Sequence, residues 1–165
     1  MDFGIRRAIA TDWPAVRRVQ ERAAPSELQF ANEADRPQMS ALQDVFRGDL
    51  WVAEALGGAL GFVACVATDI SWLYVDPSHF RKGVGRALLR HAVAHCGAIA
   101  HSTVLADNVA CLALMASEGF VLSGRETLAI PGYGDARVFK VRWIRQLSDK
   151  PANASMEIRT RMPIG

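Results

Sequence analysis

A chain of 165 residues, half of them hydrophobic, is long enough to bury a core of its own as one domain. Its 19 Lys and Arg against 17 Asp and Glu leave a net charge of +2, which removes any general electrostatic case for nucleic acid or a membrane surface. No apolar run approaches the roughly 20 residues that span a bilayer, and Met1-Asp2-Phe3-Gly4-Ile5-Arg6-Arg7 does not read as a secretory leader, so a cytoplasmic setting is the expectation. Cys65, Cys96 and Cys111 are odd in number, widely spaced and in apolar contexts. They read as reduced packing thiols rather than a disulfide frame or a metal site.

Residues 3–9 alternate as a first strand, β1. Thr11 is the expected N-cap of helix α1, over 12–24, where Trp13, Val16, Val19 and Ala23 recur at helical spacing. A polar stretch, 25–36, follows, and a second helix, α2, is predicted over about 37–47. Glu21, Glu27, Glu33 and Asp35 lie in this region beside Arg22 and Arg36. They read either as a solvated loop of mixed charge or as acids that attract a cationic amine. Two apolar strands, β2 over 50–56 and β3 over 59–68, meet at Gly57-Gly58, a strong hairpin signal.

The most informative stretch comes next. Strand β4, over 70–75, stops at Asp76-Pro77, because proline cannot donate to a ladder and the pair favours a turn. A basic loop, Arg81-Lys82, leads to Gly83-Val84-Gly85-Arg86 and then to an apolar pattern at helical spacing, α3 over 83–95. Val84, Leu88, Leu89, Ala92 and Val93 form its core stripe, with Arg86 and Arg90 outward. A strand, a glycine loop and a helix start aim several N–H groups at one spot, which suits a phosphate. Gly83 and Gly85 let the backbone approach an anion, and Arg81, Lys82 and Arg86 can add charge. The spacing fits neither the triphosphate P-loop, which needs a lysine and Ser/Thr after the second glycine, nor the three-glycine dinucleotide fingerprint.

Strand β5, over 101–106, runs into Asn108, the expected N-cap of helix α4, which Gly119 closes in the left-handed position. Strands β6, over 120–130, and β7, over 136–143, flank Pro131-Gly132-Tyr133-Gly134. Residues 147–165 read as a tail behind a domain of residues 1–146. The fold class is α/β (an α+β mixed sheet with helices on both faces) in the order β1-α1-α2-β2-β3-β4-α3-β5-α4-β6-β7.

Leu73-Tyr74-Val75-Asp76-Pro77, then Arg81-Lys82-Gly83-Val84-Gly85-Arg86-Ala87-Leu88-Leu89, then Asn108 to Gly119-Phe120 resemble, in order and spacing, the GNAT superfamily of acyl-CoA-dependent N-acyltransferases. The resemblance covers roughly residues 3–145. It implies that β4 and β5 run parallel and splay apart, that acetyl-CoA is the co-substrate, and that the acceptor is an amine of a small molecule, peptide or protein. It implies cofactor contacts from Leu73, Tyr74 and Val75, from Arg81, Lys82, Gly83, Val84, Gly85 and Arg86, and from Asn108 and Met115. A backbone N–H near Leu73 then polarises the thioester carbonyl. Homodimers are common among such proteins, although nothing in this sequence demands one.

Asp69, at the start of β4, is the first candidate for general base, against its plainer reading as a turn residue, and Glu54 is the second. Asn108 either caps α4, contacts the pantetheine, or does both. The family's usual acid, a tyrosine four residues before Gly-Phe, is here Met115, whose thioether has no proton to give. Tyr133, Tyr74 or Cys111 can take its place, or the thiolate leaves unaided. Tyr133 reads equally as an exposed loop residue, and Cys111 as a small packing residue. Phe80 stands where the family prefers Gln or Arg before the loop. Two functions therefore compete: an N-acetyltransferase, and a non-catalytic acyl-CoA sensor that kept the cleft and lost the acid.

Overall fold

The computed structural model describes residues 2–23, 49–130 and 134–146. Helix α2, the acidic stretch 25–36, Tyr133 and the tail 147–165 lie outside the described residues. One seven-stranded sheet runs in the order β1-β2-β3-β4-β5-β7-β6. β1 (Gly4–Arg7), β2 (Asp49–Ala55), β3 (Gly58–Val66) and β4 (Asp69–Val75) pair antiparallel in succession. β5 (Ile99–Leu105) pairs antiparallel with β7 (Gly134–Ile144), which pairs antiparallel with β6 (Val121–Ile130). β4 and β5 run parallel. The helices are α1 (Trp13–Ala23), α3 (Val84–Cys96) and α4 (Val109–Ser117).

Two local expectations change. Thr11 does not cap α1; it lies in a 3-10 turn, Ala10–Asp12. Asp12, the last residue of that turn, reaches back instead to its start, its Oδ2 accepting from Ile9 N at 2.8 Å. Arg6 fixes that carboxylate with bonds of 2.7 and 2.8 Å to its two oxygens, so the acid is already aimed at the turn. Asp69 is not a turn residue either. The turn is Ala67-Thr68, with Ala67 at a φ of 52°, and Asp69 is the first residue of β4.

β2 and β3 are buried on both faces, which is why they read as continuous apolar runs. Leu50, Val52, Phe62 and Ala64 pack with Val16 and Val19 of α1. Trp51, Ala53, Val63 and Cys65 pack on the other face against Leu88, Leu89 and Ala92 of α3. The cysteines are free thiols, Cys65 and Cys96 both within this second layer.

β3 and β4 approach closely at Gly61. A Cβ there would stand 2.6 Å from Tyr74 O, 3.1 Å from Leu88 Cδ1 and 3.2 Å from Val75 Cα. Two of those neighbours are backbone of β4 and cannot swing aside, so the position requires glycine. Gly61→Ala is expected to lower stability by about 2 kcal/mol, within the range of core overpacking, as a lower urea midpoint at an unchanged slope.

Candidate active site

The sheet opens between β4 and β5. The two strands share one register pair, Asp69 with His101, and His101 N donates to Thr68 O at 2.8 Å. One residue further, Ile70 O accepts from a side chain, Ser102 Oγ, at 2.9 Å. At the same level β4 bulges: Cys65 opposes Ile70 and Ala64 opposes Trp72, leaving Ser71 without a counterpart. A bulge bends a strand and increases its twist. It also resets the alternation, so Ile70, Leu73 and Val75 pack with the α3 layer while Trp72 and Tyr74 pack with the α1 layer. Beyond the bulge no ladder pair joins β4 to β5, which stays with β7 as far as Leu105.

The freed edge of β4 is defined by its last bond to β3. Asp76 N donates to Leu60 O at 2.8 Å. By strand alternation, the N–H and C=O groups of Val75 and Leu73 therefore point away from β3, into the gap. From Val75 to Asp69 the gap is six residues deep, about 20 Å at a rise of about 3.3 Å per residue.

At the mouth, β4 ends in a 3-10 turn, Pro77–His79, and the loop to α3. Arg81 and Gly83 both adopt the left-handed region, with φ of 62° and 85°. Gly83 is the N-cap of α3 and has no side chain to cap it, and the first turn holds no acid. The leading amides of a thirteen-residue helix thus face the mouth without an internal partner. Arg81 and Lys82 are exposed beside them, Lys82 Nζ donating to Ser78 O at 2.9 Å. Arg86 turns elsewhere: its Nε meets Glu118 at 2.9 Å, and Arg90 meets the same carboxylate at 2.6 Å, joining α3 to the end of α4.

Asn108 is the N-cap of α4, its Oδ1 accepting from Cys111 N at 3.1 Å. Met115 is 1 % exposed and belongs to the α3-side core with Phe120 and Val104. Burial pushes the Cys111 thiol up to about 11. It also raises the Tyr74 phenol, as does the nearby Cys111. Asp69 is exposed at the closed floor of the gap, where Ser71 Oγ donates to its Oδ1 at 3.1 Å. Glu54 is occupied: Arg6 grips both its oxygens at 2.8 Å and lowers its proton affinity. A carboxylate held that way is a poor base.

Three contributors escaped the sequence reading. His101 stands beside Asp69 at the floor. Ser102 takes the β4 carbonyl at the point of divergence. Asp76, 5 % exposed, organises the mouth: its Oδ1 accepts from Ser78 N at 3.0 Å and Ser78 Oγ at 2.6 Å, and its Oδ2 meets Arg22 of α1 at 2.8 Å. Burial works against ionisation here, but the Ser78 bonds and the Arg22 charge outweigh it and hold the carboxyl below its ordinary range. The Asp-Pro-Ser order signals such a turn. The partner 54 residues upstream leaves no sequence trace.

Residues 47–122 match the family model of the acetyltransferase (GNAT) domain. A search of the curated proteins finds no match. The fold is similar to the ribosomal-protein-S18-alanine N-acetyltransferase from Escherichia coli, at 24% identity and a TM-score of 0.67 over 87% of this chain and 94% of that one. It is similar to yncA, a putative acetyltransferase from Salmonella typhimurium solved with its cofactor acetyl-CoA, at 18% identity and a TM-score of 0.65 over 92% and 99%. It is also similar to the ribosomal-protein-alanine N-acetyltransferase from Brucella melitensis, at 20% identity and a TM-score of 0.64 over 86% and 99%.

Because the Asp76 carboxyl is depressed in the fold, its contribution is full above the unfolded carboxyl pKa of about 3.9 and fades as pH falls through the folded value. Asp76→Asn is therefore expected to unfold at lower temperature than the parent at pH 7. The two melting curves should converge as the pH is taken below about 4.

Proposed function

We propose that this chain is an acetyltransferase of the GNAT superfamily and moves an acetyl group from acetyl-CoA to a primary amine by direct attack in a ternary complex. The observation that carries this reading is an unpaired strand edge ending at an uncapped helix start. The gap offers backbone donors and acceptors along β4, and its mouth offers amides where a Cβ on Gly83 would meet nothing within 4 Å. That pattern fits a diphosphate followed by an amide-bearing arm. When bound, acetyl-CoA supplies the thioester carbonyl and a good leaving thiolate.

The chain's own groups divide the work. The amides of Val84, Gly85 and Arg86 receive the diphosphate, with Arg81 and Lys82 as the charged rim. Leu73 and Val75 hold the arm through main-chain bonds, and the Leu73 N–H is the donor toward the developing oxyanion. Tyr74 lies between them and flanks the gap, and Asn108 orients the arm from the α4 side while capping its helix. Asp69, at the floor, is our base for the acceptor ammonium, whose free pKa is about 10.4. His101, its register partner, is the neighbour through which a water relay can run.

The leaving thiolate, with a thiol pKa of about 8.5, departs without an obligatory acid. Cys111 and Tyr74 both keep their protons at neutral pH and are the described side chains able to return one. Tyr133 remains a third candidate. The acceptor is an amine of a small molecule, peptide or protein. Two of the similar structures act on a ribosomal-protein alanine, which favours a peptide amine. A second reading, a non-catalytic acyl-CoA sensor, is favoured by one observation: Met115, at the family's acid position, is sealed in the core.

Thiol release from acetyl-CoA across a panel of amines and N-terminal peptides tests the transfer. Amine-dependent release is expected, and tight binding with no release from any acceptor would leave the sensor. Gly83→Val forces a branched side chain into a φ of 85° and is expected to cost at least about tenfold in acetyl-CoA affinity by calorimetry. Asp69→Asn is expected to lower kcat by at least about tenfold with the KM for acetyl-CoA unchanged, the pattern of a group used only in the chemical step.

A further inference from the structure

A second concavity lies outside the gap, on the hairpin of β6 and β7. It has a volume of about 350 Å³ and is lined by Arg125, Glu126, Thr127, Arg137, Val138 and Phe139. The register explains its composition: Arg125 opposes Phe139 and Thr127 opposes Arg137, so these four side chains share one face of the hairpin. That face is shared across the ladder with Val104, which opposes Phe139.

The charges in this hollow are not internally balanced. The Arg125 guanidinium stands over the Phe139 ring at 5.6 Å and makes no ion pair among the described residues. Arg137 comes no nearer than 3.9 Å to Asp107, beyond hydrogen-bond distance, and both side chains are 79% exposed. The one acid in the lining, Glu126, is taken by Lys140 at 2.7 Å. Two guanidiniums, a hydroxyl and an aromatic floor form an arrangement that receives a carboxylate or phosphate with an apolar portion behind it.

Position ties the hollow to the gap. Arg137 O accepts from Ala106 N at 2.9 Å, and Asp107 is the residue before Asn108. Arg137 therefore sits at the elbow where β5 turns into α4, at the open end of the gap. We propose that this hollow is an anion subsite that takes the carboxylate- or phosphate-bearing end of a molecule seated in the gap. The inference rests on the acetyltransferase reading for what occupies the gap, and on the hairpin alone for the anion chemistry. The shared chemistry has two sources, the 3′-phosphate of the carrier and a carboxylate of the acceptor.

The experiment compares the parent protein with Arg125→Ala, Arg137→Ala and the double variant; both side chains are exposed, so the fold should survive, as circular dichroism checks. Calorimetry with acetyl-CoA and 3′-dephospho-acetyl-CoA reads the first source. KM values for matched acceptors with free and amidated carboxylates read the second. The double variant is expected to lose about tenfold in affinity for the anion-bearing member of one pair and nothing for its neutral counterpart. Loss of the phosphate discrimination assigns the carrier, and loss of the carboxylate discrimination assigns the acceptor. A third arm follows the Nε–Hε resonances of Arg125 and Arg137 during titration with inorganic pyrophosphate, so it reads the hollow even in a protein that binds no acetyl-CoA. Unmoved arginine resonances, with both discriminations intact in the double variant, would overturn the proposal. Moved resonances with no thiol release would retain it while removing the acetyltransferase reading.

Discussion

One unmade set of hydrogen bonds governs this molecule. A β-strand inside a sheet normally satisfies both edges, because a buried backbone amide or carbonyl without a partner is costly. β4 satisfies one edge along its length and the other only as far as Asp69 and Ile70. The closure there is abrupt: one parallel pair, then a serine hydroxyl on a carbonyl, then nothing. The bulge at Ser71 sits at the same level, bending β4 while β5 follows β7. The resulting edge is held open by covalent geometry and by the packing of both faces, and it keeps its polar groups available to water or to a guest that can pair like a strand.

The features around the gap each stabilise that arrangement. Gly61 lets β3 press against the Tyr74 carbonyl, fixing the far side of β4. Asp76 ends the strand and ties it to Arg22 in the last turn of α1, so the helix on one face and the loop on the other meet at a single buried carboxylate. Glu118 gathers Arg86 and Arg90 and holds α3 to α4 across the layer below the gap. That last contact also has an electrostatic consequence. The Arg86 and Arg90 charges are paired between the helices, leaving the mouth to backbone amides, Arg81 and Lys82.

Proton chemistry at the gap is set by burial more than by charge. Tyr74 and Cys111 are both shifted toward their protonated forms because the environment disfavours the anion. Glu54, by contrast, is kept ionised by Arg6, and Asp76 is kept ionised mainly by Ser78 and Arg22 against the burial that opposes it. The acids with firm partners serve structure. Asp69, whose partner among the described residues is a serine hydroxyl, is the one left facing the floor of the gap.

The order of elements was legible because each signal is local. Apolar runs marked β2 to β4, the Gly57-Gly58 pair marked the hairpin, Gly83 and Gly85 marked the helix start, and Asn108 and Gly119 bracketed α4. These depend on backbone geometry within a few residues, which neighbouring side chains suffice to decide. Tertiary structure decided which partner each charged or apolar group took. Arg86 left the loop for Glu118, Met115 entered the core, Thr11 fell within a 3-10 turn closed by the Arg6-held carboxylate of Asp12, and the acid weighed at Glu54 was already held. Those outcomes depend on contacts between residues as far as 48 apart in the chain, whose competition is settled only when the sheet is assembled.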